Sequence, residues 1–172
     1  VSFHYVAVYK KSTGEIVHIG AFSCDEGSVD LNFSARVSQF GDEEYDFIEA
    51  SADRTIHYVA VLDDQRIVIE KPPIPYSVDR TVVVSGGEDF ITISGLHDPC
   101  EIVIDDPDPL VETVTETVTG GSFEFSAATV GVYTIEIEKF PFLPMSLEII
   151  AVNPEALETA SYSSDFSYEF GL

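Results

Sequence analysis

Gly131-Val132-Tyr133-Thr134-Ile135-Glu136-Ile137-Glu138 sets large apolar side chains at 133, 135 and 137 between mostly polar neighbours. A period of two puts Tyr133, Ile135 and Ile137 on one face of a strand, as a sheet with one side in a core and the other in water requires. The alternation recurs on both sides of this stretch, in Ile91 with Ile93, Ile102 with Ile104, Phe123 with Phe125, and Leu147 with Ile149. Strands are therefore expected at Thr81 to Ser85, Phe90 to Ser94, Glu101 to Ile104, Val111 to Thr119, Ser122 to Ser126, Val132 to Glu138 and Ser146 to Val152. Gly86-Gly87, Asp98-Pro99, Pro107 to Pro109, Gly120-Gly121, Gly131 and Pro141 punctuate them. Short strands at such intervals are the pattern of a β-sandwich.

One strand departs from this. On Val111 to Thr119 one face carries Thr113, Thr115, Thr117 and Thr119, while Glu112 and Glu116 interrupt Val114 and Val118 on the other. Neither face reads as fully buried, so the stretch is expected at a sheet edge, its glutamates discouraging wrong pairing. An edge can also dock a partner, which makes Thr113, Thr115 and Thr117 candidate partner-binding residues.

Upstream, Phe3 to Tyr9 and Ile16 to Phe22 flank the polar turn Lys10-Lys11-Ser12-Thr13-Gly14-Glu15 and read as a hairpin, glycine supplying the positive φ that such turns need. Tyr45 to Ala50, Thr55 to Leu62 and Arg66 to Ile69 read as further short strands. Ser28 to Phe40 is ambiguous: Val29, Phe33, Val37 and Phe40 fit a helical face, and Val29, Leu31, Phe33, Ala35 and Val37 fit strict alternation. Ser28 as a cap and Gly41 as a stop favour a short helix. Lys71-Pro72-Pro73-Ile74-Pro75 lacks three ladder donors and reads as a boundary. The expected organisation is a β-rich, hairpin-rich domain at 1–72, a Pro-rich linker at 73–80, a β-sandwich at 81–153 and an acidic aromatic arm at 154–172. Tyr162, Phe166, Tyr168 and Phe170 on that arm are candidate contacts to a neighbouring subunit.

Across 172 residues, 8 Lys and Arg stand against 31 Asp and Glu, a net charge of −23. Such a chain is repelled by nucleic-acid phosphates and anionic lipid, so direct nucleic-acid binding is not expected. No apolar run approaches the roughly 20 residues of a membrane helix, and the start reads as no charged leader; a soluble, unprocessed chain is expected. Cys24 and Cys100 are too few for a disulfide framework, and both are expected reduced and buried.

Catalytic signals are sparse. With so many carboxylates, closeness of two says nothing about acid–base work. His4, His18, His57 and His97 stand singly in strand or turn patterns, without a nucleophile elbow. His97 and Cys100 offer two zinc ligands without the further soft ligands zinc requires. Asp105, Asp106 and Asp108 gather in a turn that a hard cation would accept, but the glycine and final glutamate of a calcium loop do not follow. A solvated acidic turn is the expectation, and no cofactor or metal is assigned.

Tyr5-Val6-Ala7-Val8-Tyr9, Ser12-Thr13-Gly14-Glu15-Ile16-Val17, Ile19-Gly20, Ala52-Asp53 and His57-Tyr58-Val59 together resemble the opening of small proteins encoded with tail genes in phages of marine and other alphaproteobacteria. Ile93-Ser94-Gly95-Leu96, Pro99-Cys100, Val103-Ile104-Asp105 and Gly131 to Glu138 before Phe140-Pro141-Phe142-Leu143 resemble the immunoglobulin-like module of those proteins. The resemblance implies an immunoglobulin-like sandwich in a virion structural protein without enzymatic activity. The negative charge argues against contact with packaged DNA, so the expected place is the virion exterior after a stay in the host cytoplasm, with other tail or capsid subunits, further copies of the chain within the particle and the host surface as the expected contacts. A tail-tip or fibre-associated subunit is the first reading, capsid decoration the alternative, and a carbohydrate-binding module the third.

Overall fold

A computed structural model of the chain describes residues 2–25, 28, 32–35, 38–41 and 43–155. The protein is mainly β and divides into two compact units. One comprises Val1–Pro73 with Phe140–Leu143, the other Ile74–Lys139 with Pro144–Leu172.

In the first unit, β1 (Ser2–Lys10) lies between β2 (Ile16–Cys24) and β3 (Tyr45–Glu49) in an antiparallel sheet, and β4 (His57–Leu62) forms a hairpin with β5 (Gln65–Glu70). β1 is buried on both faces. Ala7 and Tyr9 pack with Ile16 and Val59 in one cluster, flanked by Ile19, Ile48, Ala52 and Val68. Val6 and Val8 point to the opposite face, where Phe22 and Phe47 also lie. Phe33 covers that face from residues 32–35, which are helical: its ring is edge-on to Phe22 at 4.6 Å and 4.9 Å from Phe47. The short helix favoured for the ambiguous stretch is present, and Phe33 is its core residue. Phe40 is more exposed and lies 5.5 Å from the His18 ring; Val29, Leu31 and Val37 fall outside the described residues.

The turn of the first hairpin depends on Gly14. Its φ is +82°, its carbonyl accepts the Val59 N–H at 2.9 Å, and a Cβ placed on it would sit 1.9 Å from the Val59 carbonyl oxygen. Only glycine permits both the positive φ and this backbone approach.

The second unit is a two-sheet sandwich. One sheet runs β10 (Val114–Val118), β9 (Cys100–Asp105), β12 (Gly131–Glu138), β13 (Met145–Val152) and β7 (Val82–Val84); the other runs β11 (Ser122–Phe125), β8 (Ile91–Ser94) and β6 (Ser77–Val78). All pairings are antiparallel except β13 with β7. This allotment of consecutive strands to two sheets is immunoglobulin-like. Ile91, Ile93, Ile102, Ile135, Ile137 and Ile149 are all fully buried, and the Phe125 and Tyr133 rings meet across the sheets at 5.2 Å. The alternating faces of the sequence are thus the core. The Tyr133 hydroxyl accepts the Thr129 N–H at 3.2 Å and lies 3.2 Å from the Thr129 carbonyl oxygen and 2.8 Å from its hydroxyl. A tyrosine early in this strand, tied back to the preceding corner, is a hallmark of such sandwiches.

Three expectations need correction. Residues 73–80 are not only linker: Ser77–Val78 form β6, which pairs with β8, because the last proline of the segment is at 75 and leaves the following amides free to pair. The strand expected from Val111 starts at Val114, since 106–113 is a loop held by its own carboxylates. Cys100 is buried, whereas Cys24, at the end of edge strand β2, is only partly so, and both are free thiols. Burial pushes the Cys100 thiol pKa up, with a smaller opposing pull from Lys139.

Candidate functional site

The edge strand β10 shows how the inner face of the sandwich opens. Its register sets Val114 opposite Ile104, Glu116 opposite Ile102 and Val118 opposite Cys100. Ile102 and Cys100 are buried in the core, so Val114, Glu116 and Val118 share the inward face. Only Val118 is buried; Val114 is 45% exposed and Glu116 is exposed. The reason is topological. Among the described residues the opposing sheet ends at β11, and no further strand follows it over the inner side of β10.

The space left between β10 and β11 is a groove of about 320 Å³. Its lining includes the buried Phe125 and Tyr133, the half-buried Ile104 and Phe123 and the exposed Val114. Asp106, Glu112, Glu116 and Glu124 also line it, and among the described residues no Lys or Arg does. Among the described residues Glu112, Glu116 and Glu124 have no ion-pair partner.

The candidate residues Thr115 and Thr117 stand opposite Val103 and Glu101, on the outer face of β10 and away from this groove. Thr113 precedes the strand, and its hydroxyl donates to Asp105 Oδ1 at 2.6 Å. Tyr162, Phe166, Tyr168 and Phe170 lie outside the described residues. Two carboxylates of the Asp105 to Asp108 turn are spent on the loop itself: Asp106 Oδ1 accepts the Asp108 N–H at 2.9 Å and Asp108 Oδ1 the Leu110 N–H at 3.0 Å. Among the described residues no three His, Cys, Asp or Glu side chains converge as a metal site.

The outer face of the larger sheet carries a feature that sequence reading missed. Val132 pairs with Ile150, and Ile150 with Val82, so three β-branched side chains form one row across β12, β13 and β7. All three are exposed, at 48%, 47% and 43%. Val152 and Val84 pair on the same face and are half-buried. Single exposed apolar residues are ordinary, but an in-register row is a contiguous surface of the kind that marks contact sites. Its only sequence signal was an apolar residue at polar-side positions of each strand.

The histidines are dispersed. His4 Nδ1 lies 2.5 Å from Glu49 Oε1, with its other nitrogen buried and unbonded; His57 Nδ1 accepts the Asp53 N–H at 3.0 Å; His18 lies against Phe40. Thr55, through its side chain and then its N–H, holds the Asp53 carboxyl below its ordinary range.

No protein-family model and no curated protein matches the sequence. The solved structures that align with it include two glycosyl hydrolase family 2 members from Bacteroides cellulosilyticus. The first is 16% identical with a TM-score of 0.32, covering 87% of this chain and 22% of that protein. The second is 17% identical with a TM-score of 0.30, covering 84% and 22% respectively. The chain thus spans about a fifth of those proteins, and a likeness this distant carries nothing about function. Among the described residues no helix is long and apolar enough to cross a membrane.

Proposed function

We propose that this chain is a non-enzymatic structural protein that works through contacts with other protein subunits, and that the assembly is a phage virion in which it serves as a tail-apparatus subunit. The observation that carries the contact reading is the exposed Val132, Ile150 and Val82 row on a rigid sheet face. Burying three half-exposed β-branched side chains is favourable at about 25 cal/mol per Å² of apolar surface, with little side-chain entropy to lose because χ1 is already restricted. The virion reading rests on the sequence resemblance of Tyr5 to Val59 and of Ile93 to Leu143. Strong negative charge suits a subunit that must stay soluble before assembly, keeping free copies apart while salt screens the repulsion at contact range.

Purified particles test this directly. Immuno-electron microscopy should place the chain at the tail, and quantitative mass spectrometry should find few copies per particle. Hundreds of copies on the head would replace the tail role by capsid decoration, and absence from particles would end the virion reading. Ile150→Lys with Val132→Lys should leave the circular dichroism of the free protein unchanged and deplete it from particles. Normal incorporation of that variant would reject the row as the contact.

A further inference from the structure

We infer that the groove between β10 and β11 receives an extended segment of another protein, with apolar residues alternating with Lys or Arg, which adds a fourth strand to the three-stranded sheet. This rests on the reading of the chain as a contact protein and names what one of its surfaces takes.

Three observations converge on a strand as the occupant. Among the described residues β11 ends its sheet, and one side of its backbone has no ladder partner there. Beyond that edge, the inward side chain of Val114 is left without a roof, although its register assigns it to the core face. The most buried part of its lining, Phe125 and Tyr133 with Ile104, is largely apolar. A strand laid along β11 would pair with the free backbone edge and drop alternate side chains onto that lining, as strand addition does elsewhere.

Charge selects the chemistry of the occupant. Among the described residues the lining holds four carboxylates and no cation, and Glu124, opposite Thr92 on the outward face of β11, would stand beside the outward Lys or Arg of a strand whose apolar side chains point into the groove. An acidic or purely apolar strand would leave these carboxylates repelled or desolvated, whereas Lys or Arg beside them is paired. The chain's own residues 156–172 contain Glu158, Asp165 and Glu169 and no Lys or Arg, so they are poorly matched. A second copy brings a net charge of −23 to the same rim. A basic partner is what remains.

The test uses the full chain and a capped synthetic peptide of alternating lysine and valine, with an alternating glutamate and valine peptide and a peptide of residues 156–172 as controls. The lysine peptide should bind, shift the NMR resonances of Phe123 and Phe125, and slow amide exchange along Ser122–Phe125. Glu124→Lys, an exposed change, should keep the native spectrum and weaken binding about tenfold, the loss of one well-placed charge pair. Several results would overturn the inference: no binding of the lysine peptide, binding without protection of β11, affinity unmoved by Glu124→Lys, or stronger binding by the 156–172 peptide. Concentration-dependent dimerisation that Glu124→Lys alters would also overturn it, by making a second copy the occupant. Failure here leaves the outer-face row untouched, since that is read by Ile150→Lys in particles; failure of the row leaves peptide binding measurable.

Discussion

Tyr133 carries two separable contributions. Its ring packs on Phe125 in the core and its hydroxyl ties the corner at Thr129. Tyr133→Phe keeps the ring and is expected to cost about 1 kcal/mol, the net worth of one hydrogen-bonded group. Tyr133→Ala also opens a cavity and is expected to cost about 3–5 kcal/mol. Urea unfolding of both variants checks the difference; equal losses would mean that the corner, not the ring, dominates. Asp89 offers a second test at this scale. It forms an ion pair with Arg80 and accepts the Val84 N–H at 2.8 Å, and these contacts, Arg80 first, hold its carboxyl below the usual range. A carboxyl depressed in the folded state contributes stability above its unfolded pKa and loses it as pH falls through the folded value. The melting-temperature gap between the native chain and Asp89→Asn should therefore be widest at neutral pH and close as pH falls through and below the ordinary carboxylate range. A gap independent of pH would remove the ion pair as its cause.

At the scale of elements, the first hairpin and the edge strand show how local and non-local constraints differ. The turn at Gly14 was legible because its flanking strands are contiguous in sequence and its glycine is required by the backbone. What sequence could not show is that the Val59 carbonyl, on β4, occupies the space a side chain would need. Gly14→Ala is therefore expected to destabilise by more than about 1 kcal/mol, beyond the entropic gain alanine usually brings. Thermal melting monitored by circular dichroism checks this, and a neutral result would mean that the turn re-forms away from β4. For β10, the glutamates at 112 and 116 signalled incomplete burial, and an edge position follows from the strand order. The sequence could not say whether Glu116 faced solvent or an open groove, because that depends on where the opposing sheet stops.

For the whole molecule, charge is the governing quantity. A net charge of −23 on 172 residues repels itself in any compact state. Raising sodium chloride from about 0.01 M to 0.5 M shortens the screening length several-fold, so the melting temperature should rise with salt. As pH approaches the sequence pI of about 4.1, repulsion between molecules should fade and solubility should pass through a minimum. Light scattering and calorimetry across salt and pH check both; a melting temperature that falls with salt would mean that local ion pairs such as Arg66 with Asp46 outweigh the overall repulsion.

The period of two along Gly131–Glu138 and its counterparts determined, without any coordinates, that this chain is mainly β and which side chains of the second unit would be buried, because the pleat forces neighbouring residues to opposite faces. Tertiary structure decided how strands were shared between sheets: five against three, with β7 parallel to β13 and β6 recruited from beyond the prolines. Those pairings join residues far apart in the chain, and hydropathy records whether a face is buried but not which strand lies beside it. Both candidate surfaces arise at that level. The outer row exists only because Val82, Val132 and Ile150 come into register, and the groove exists only because one sheet ends a strand before the other.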